Sequence, residues 1–165
     1  MAHWRRILVG ALGAVILVSG ATVTAAADEG GTLIRFDSMT PVPAGHPTVR
    51  LIPGGGLPWA IESGRGRVTA DGDVNVRVRG LVLAAGTSAG TNPISKFNAV
   101  VSCVTSTGIS NVKTPAFPAD MQGDSRIKAS VALPAHCADP IVFVGFSPTP
   151  STFRWFARSN AEADD

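Results

Sequence analysis

Short extended segments, separated by glycine and proline, dominate the pattern of apolar and polar positions along this chain. Residues 126–133 (RIKASVAL) alternate between polar and apolar, and this period of two predicts a half-buried strand. Residues 97–105 (FNAVVSCVT) are apolar almost throughout, which predicts a buried strand. Shorter runs predict further strands at residues 32–36, 49–52, 141–146 and 152–157. A turn-rich stretch is expected around Pro115 and Pro118.

The clearest local signal is the tetrapeptide 69–72 (TADG) between two extended runs. It fits a three-residue hairpin loop in which Gly72 takes the left-handed conformation. In this register three valines share one face of the hairpin and four arginines share the other: Val74, Val76 and Val78 against Arg65, Arg67, Arg77 and Arg79. Arg65 lies directly opposite Arg77, and like charges in such a pair are unfavourable unless an anion or an acid lies between them.

Composition supports the same fold class. The chain has 18 glycines, 12 prolines and no tyrosine, and the strong helix formers Lys, Glu and Gln are scarce, so helices are disfavoured. Seven or eight short strands with frequent turns predict an all-β domain. We expect a β-sandwich of immunoglobulin-like arrangement, with a small β-barrel as the alternative.

The N-terminus predicts export. Arg5 and Arg6 precede an uncharged run that ends in the small residues 25–27 (AAA), as in a secretory signal cleaved after Ala27. An uncleaved anchor helix is the alternative, but polar and small residues dilute the second half of the run. Residues 28–159 then form a single domain, and residues 160–165 form an acidic tail that is expected to be disordered. The predicted location is secreted or extracellular.

Charge and cysteine content narrow the function classes. Without the two leader arginines, 12 basic residues balance 12 acidic ones, so nothing global indicates a nucleic-acid partner. Cys103 and Cys137 are the only cysteines, and an even count in an exported chain predicts a disulfide. Free thiols or a metal site that also uses His46 and His136 are the alternatives.

Several motifs extend over most of this predicted domain: residues 53–59 (PGGGLPW), 69–72, 79–83 (RGLVL), 90–93 (GTNP), 100–103 (VVSC), 131–134 (VALP) and 137–144. With them the chain resembles a family of small exported bacterial proteins of unknown function. The resemblance implies one exported β domain with a cysteine pair, and it implies no catalytic residue.

Two serine motifs offer candidate chemistry. Residues 86–90 (GTSAG) match the nucleophile-elbow pattern, but residues 91–93 (TNP) cannot begin the helix that this elbow needs. Ser125 could act with His136 and Asp139 as a triad, since triads are defined by geometry and not by order in the chain. A small secreted hydrolase using Ser125 and His136 is therefore the alternative function.

Other candidates have simpler interpretations. The pairs Asp71/Asp73 and Asp120/Asp124 lack the spacing of a calcium loop, so we expect solvated turn carboxylates, no metal and no cofactor. Three aromatic residues could form a platform for sugar rings but are expected in the core: Trp59, Trp155 and Phe156.

The favoured function is a non-catalytic binding or structural module at the cell envelope or in the medium. The simpler interpretation of its arginine face is a solvent-exposed sheet face whose charge is relieved by Glu62, Asp71 or Asp73. The functional interpretation is a docking patch for an anionic polymer, and the candidate partner is an anionic or carbohydrate cell-envelope polymer. Nucleic acid is not an expected partner, and neither is a membrane once the signal is removed.

Overall fold

The computed structural model describes residues 31–160, and these residues form strands and turns without a helix. The strands are β1 Thr32–Phe36, β2 Met39–Pro41, β3 Thr48–Val49, β4 Ile52–Pro53, β5 Trp59–Ala60, β6 Ser63–Thr69, β7 Asp73–Arg79, β8 Val82–Leu83, β9 Lys96–Thr105, β10 Gly108–Lys113, β11 Phe117–Pro118, β12 Ser125–Ser130, β13 Ala138–Phe146 and β14 Arg154–Ser159. The predicted signal, residues 1–27, and residues 161–165 of the predicted tail lie outside the described residues. No segment of residues 31–160 is a helix long and apolar enough to cross a membrane.

Two antiparallel sheets make up the domain. The first has the order β1-β6-β7-β12, and the second has the order β10-β9-β13-β14-β2, with β11 paired to β9. Two small ladders, β3-β4 and β5-β8, accompany them. Within residues 31–160 neither main sheet closes on itself, so the β-sandwich prediction is confirmed and the small-barrel alternative is not adopted.

One hydrophobic core joins the two sheets. The first sheet contributes the inward valines of β7, all of which are buried as the period-two pattern predicts: Val74, Val76 and Val78. The second sheet contributes the continuous apolar run of β9 and the rings of Phe143 and Trp155. β9 is buried on both of its faces from Phe97 to Cys103, as its continuous apolar run predicts.

The hairpin of β6 and β7 has the predicted register. Gly72 adopts a φ of 91°, and its amide donates to the Thr69 carbonyl at 3.0 Å, closing the three-residue loop. The Val131 amide in turn donates to the Gly72 carbonyl at 2.9 Å. This bond continues the β12–β7 register by one residue, because Val131 follows the pair of Ser130 and Asp73. Beyond it the partner chain is the hairpin loop, so β12 ends at Ser130 and not at Leu133 as the alternation predicts.

The strands differ from the sequence prediction in two places. Residues 49–52 are not one strand, because Val49 ends β3, Ile52 begins β4 and the two form a cross-strand pair. Arg50 and Leu51 make the tight turn between them, with left-handed φ values of 51° and 65°. Residues 108–113 form the edge strand β10, which was not predicted from the sequence. This strand has only two apolar residues, Ile109 and Val112, so its extended pairing with β9 leaves little trace in the hydropathy pattern.

The predicted disulfide is confirmed. Cys103 of β9 and Cys137 are bonded, with Cα atoms 4.7 Å apart. Cys137 immediately precedes β13, and Val104 pairs with Ala138, so the bond joins neighbouring strands of one sheet. In immunoglobulin domains the corresponding bond joins the two sheets.

Two glycines in β6 make room for side chains of β1 and β2. A Cβ on Gly64 would lie 2.5 Å from Met39, and a Cβ on Gly66 would lie 2.7 Å from the Phe36 ring. Met39 and Phe36 therefore fill the inner face of β6 in place of side chains from β6 itself, and both are buried. The repeating pattern of residues 64–67 (GRGR) thus has glycine inside and arginine outside.

Gly66→Ala should lower the free energy of unfolding by about 1–3 kcal/mol, as overpacking of a core does. The added methyl group would also lie 2.8 Å from the Asn75 carbonyl oxygen, which is backbone and cannot rotate away. Denaturant unfolding measures the loss. Gly56→Ala is the matched control, because no heavy atom lies within 4 Å of a Cβ at that position. Equal stability of the two variants would contradict this account of β6.

Candidate anion-binding face

The outer face of the first sheet carries a grid of cationic side chains. Alternation along β6 points Arg65 and Arg67 away from the core, since Gly64, Gly66 and Val68 face inward. On β7 the inward valines leave Asn75, Arg77 and Arg79 on the outer side. Strand alternation alone therefore produces an arginine face on this hairpin, as the sequence predicts.

Strand pairing extends this grid across the whole sheet in two rows. In the first row Arg65 pairs with Arg77, and Arg77 pairs with Arg126 of β12. In the second row Arg35 of β1 pairs with Arg67, followed across the sheet by Asn75 and Lys128. We refer to six residues as the basic face: Arg35, Arg65, Arg67, Arg77, Arg126 and Lys128.

All six residues of the basic face line one open groove of about 580 Å³. Gly66 and Phe36 also line it, and its acidic lining residue is Asp37. The groove is open and most of its lining residues are charged, which suits a charged, extended ligand better than an enclosed apolar one.

The ion pairs within residues 31–160 leave most of the basic face without an acidic partner. No carboxylate there lies at ion-pairing distance from five of its cations: Arg35, Arg65, Arg77, Arg126 and Lys128. Arg77 has an arginine opposite it on both sides, and each such pair is unfavourable by a few tenths of a kcal/mol or more. The sheet therefore keeps an electrostatic cost that a bound anion would remove.

Arg79 differs from the other predicted arginines. Its Nε lies 3.7 Å from Asp124 Oδ2, and Asp124 also accepts a hydrogen bond from the Gly80 amide at 3.0 Å. Arg79 belongs to the outer face but does not line the groove. The sequence does not identify three cations that do line it: Arg35, Arg126 and Lys128. Alternation along β1 and β12 places these three side chains on the outer side of their strands. This pattern assigns them to the basic face only once the neighbouring strands are known.

The candidate triad is not brought together. The Ser125 hydroxyl donates to the Pro118 carbonyl at 2.8 Å, beside Lys96 at the start of β9, and Ser125 is only 8% exposed. His136 precedes Cys137, whose disulfide partner lies near the opposite end of β9, roughly 20 Å away for an extended strand. The third member, Asp139, binds the guanidinium of Arg50.

The remaining candidates have structural roles. Residues 86–91 form successive turns, and the next regular element is β9, so no helix follows the GTSAG motif within the described chain. Asp120 Oδ1 accepts from the Asp124 amide at 2.8 Å, and no group of three potential metal-ligating side chains occurs in residues 31–160. Asp71 and Asp73 are exposed at the hairpin end, as expected for turn carboxylates.

The three aromatic residues lie in the core and not on the surface. Trp59, Trp155 and Phe156 are 5%, 1% and 4% exposed. The rings of Trp59 and Phe156 stack on each other with centroids 3.9 Å apart. Their faces are therefore occupied by protein, and they present no platform to a sugar ring.

Comparison with known proteins adds no assignment: no family model, no curated protein and no solved structure matches this chain. The basic face is accordingly interpreted from its own geometry and charge.

Proposed function

We propose that the protein is an exported, non-catalytic β-sandwich whose basic face binds an anionic polymer of the cell envelope or the surrounding medium. The observation that carries the proposal is the row of Arg65, Arg77 and Arg126 on adjacent strands, without an acidic partner in the described chain. An anion bound above this row would attract all three guanidinium groups and offset the repulsion between them.

A polymer fits the face better than a single small anion. Adjacent strands are about 4.8 Å apart, so four strands spread cations over roughly 14 Å. Exposed cations attract one anion only weakly in water, but a chain of anions contacts several of them at once and the contributions add.

The remaining features of the chain are compatible with this role. The Cys103–Cys137 disulfide suits an oxidising compartment, which supports the export that the N-terminal pattern predicts. Secretion, and kinship with small exported bacterial proteins, are parts of the proposal. Because Trp59, Trp155 and Phe156 are buried, recognition of a carbohydrate polymer would depend on its acidic groups and not on stacking of these rings on sugar.

Arg65→Ser with Arg77→Ser should weaken binding to linear inorganic polyphosphate by about thirtyfold, if each exposed cation contributes about 1 kcal/mol. Affinity is measured by calorimetric titration at low salt, and the parent's affinity should fall steeply as salt is added because exposed charges are screened. Thermal stability should be unchanged or slightly higher, because two repulsive cross-strand pairs are lost.

The matched control is Arg154→Ser with Arg158→Ser, which removes the same charge from the second sheet. It should leave binding within about twofold of the parent, an effect expected of net charge alone. Equal losses in the two double variants would reduce the basic face to an ordinary solvated surface and would refute the proposal.

A further inference from the structure

The C-terminal end of the described chain lies beside the basic face. The Asn160 amide donates to the Ser38 carbonyl at 3.2 Å, and Asn160 Nδ2 donates to Ser38 Oγ at 3.1 Å. Thr40 Oγ1 donates to Asn160 Oδ1 at 2.6 Å. Asn160, assigned to the tail by sequence, is thus bound to the domain, and Ser38 directly follows the groove residue Asp37. The described chain therefore ends next to the β1 edge of the face.

The five residues that follow have the charge and reach to cover this face. Residues 161–165 (AEADD) carry three carboxylates, on Glu162, Asp164 and Asp165. Five extended residues span about 17 Å, and the four strands of the sheet span about 14 Å.

We propose that the acidic tail, residues 161–165, docks on the basic face and competes there with the external polyanion. The docking follows from charge complementarity and from the position of Asn160, and the competition rests on the proposed function. A tail attached at the edge of its site acts at a high effective concentration, of millimolar order for a short flexible connection. A dilute or short polymer is then excluded, whereas a long polymer with many charges displaces the tail.

Docking is tested first without any polymer. Backbone amide shifts of the secreted chain are compared with those of the variant Glu162→Gln with Asp164→Asn by NMR. The proposal expects shift changes along the outer positions of β1, β6 and β7. Changes confined to residues 158–165 would overturn it, whatever the polymer experiments show.

Competition is tested with linear polyphosphate by calorimetric titration. The tail variant should bind about threefold to tenfold more tightly than the parent, since two weak exposed ion pairs no longer need to be displaced. The matched control is Glu62→Gln with Asp71→Asn, which makes the same two chemical changes at exposed positions away from the tail. Its affinity should stay close to that of the parent.

The outcomes separate the two proposals. An equal gain in the tail variant and the control would mean a net-charge effect and would overturn competition. A gain from Asp28→Asn with Glu29→Gln, but none from the tail variant, would identify the N-terminal acids as the occupant and would also overturn it. If the parent binds no polyphosphate and the tail variant also binds none, the proposed function fails, while the NMR comparison still decides whether the tail docks.

Discussion

Replacing both cysteines, Cys103→Ala with Cys137→Ala, is expected to lower the free energy of unfolding by about 3–4 kcal/mol, the value that loop-closure entropy assigns to a loop of this length. The two residues are 34 positions apart in sequence. Without the bond the unfolded chain regains the freedom of that loop, while the folded chain still pairs β9 with β13. Cys103 is fully buried, so alanine there also loses some packing.

Denaturant unfolding of the oxidised parent, the reduced parent and the double variant measures this loss. The reduced parent and the variant should have similar midpoints, both well below that of the oxidised parent. Indistinguishable midpoints for the oxidised and reduced parent would show that the bond does not restrict the unfolded state as described.

Trp155→Ala is expected to lower the free energy of unfolding by about 3–5 kcal/mol, as when other large aromatic residues are removed from a core. Trp155 is 1% exposed, and its ring meets the Phe143 ring edge-on with centroids 5.9 Å apart. Trp155 also holds residues 47–55 by two hydrogen bonds. Its Nε1 donates to the Pro47 carbonyl at 3.2 Å, and its carbonyl accepts from the Gly55 amide at 2.8 Å.

Trp155→Phe separates these contributions. Phenylalanine keeps an aromatic contact with Phe143 but cannot donate to the Pro47 carbonyl, which still accepts from the Gly54 amide at 3.2 Å. We expect Trp155→Phe to lower the free energy of unfolding by less than half as much as Trp155→Ala. Denaturant unfolding followed by Trp59 fluorescence measures both values. A phenylalanine variant as unstable as the alanine variant would assign the main effect to the hydrogen bond and contradict the packing account.

The hairpin was predictable from sequence because its determinants are local. A four-residue turn with Gly72 sets the register, and the register alone places Val74, Val76 and Val78 inside and Arg65 opposite Arg77. The β9 run and the inward aromatic residues follow equally from local apolar content.

The full extent of the basic face was not predictable in this way. Arg126 and Lys128 join it because β12 pairs with β7 across more than forty residues of sequence, and Arg35 joins it because β1 pairs with β6. No local pattern encodes which distant strands become neighbours, since that choice depends on the packing of the whole core. The β3-β4 turn was missed because its left-handed residues, Arg50 and Leu51, are not turn formers.

The most direct test of the basic face is an NMR titration of the isotopically labelled protein with linear polyphosphate at low salt. The account predicts that the largest amide shift changes lie on the outer positions of β1, β6, β7 and β12, and that they reverse when salt is added. Changes centred on the second sheet, or no changes at low salt, would contradict the claim that this face is the binding site.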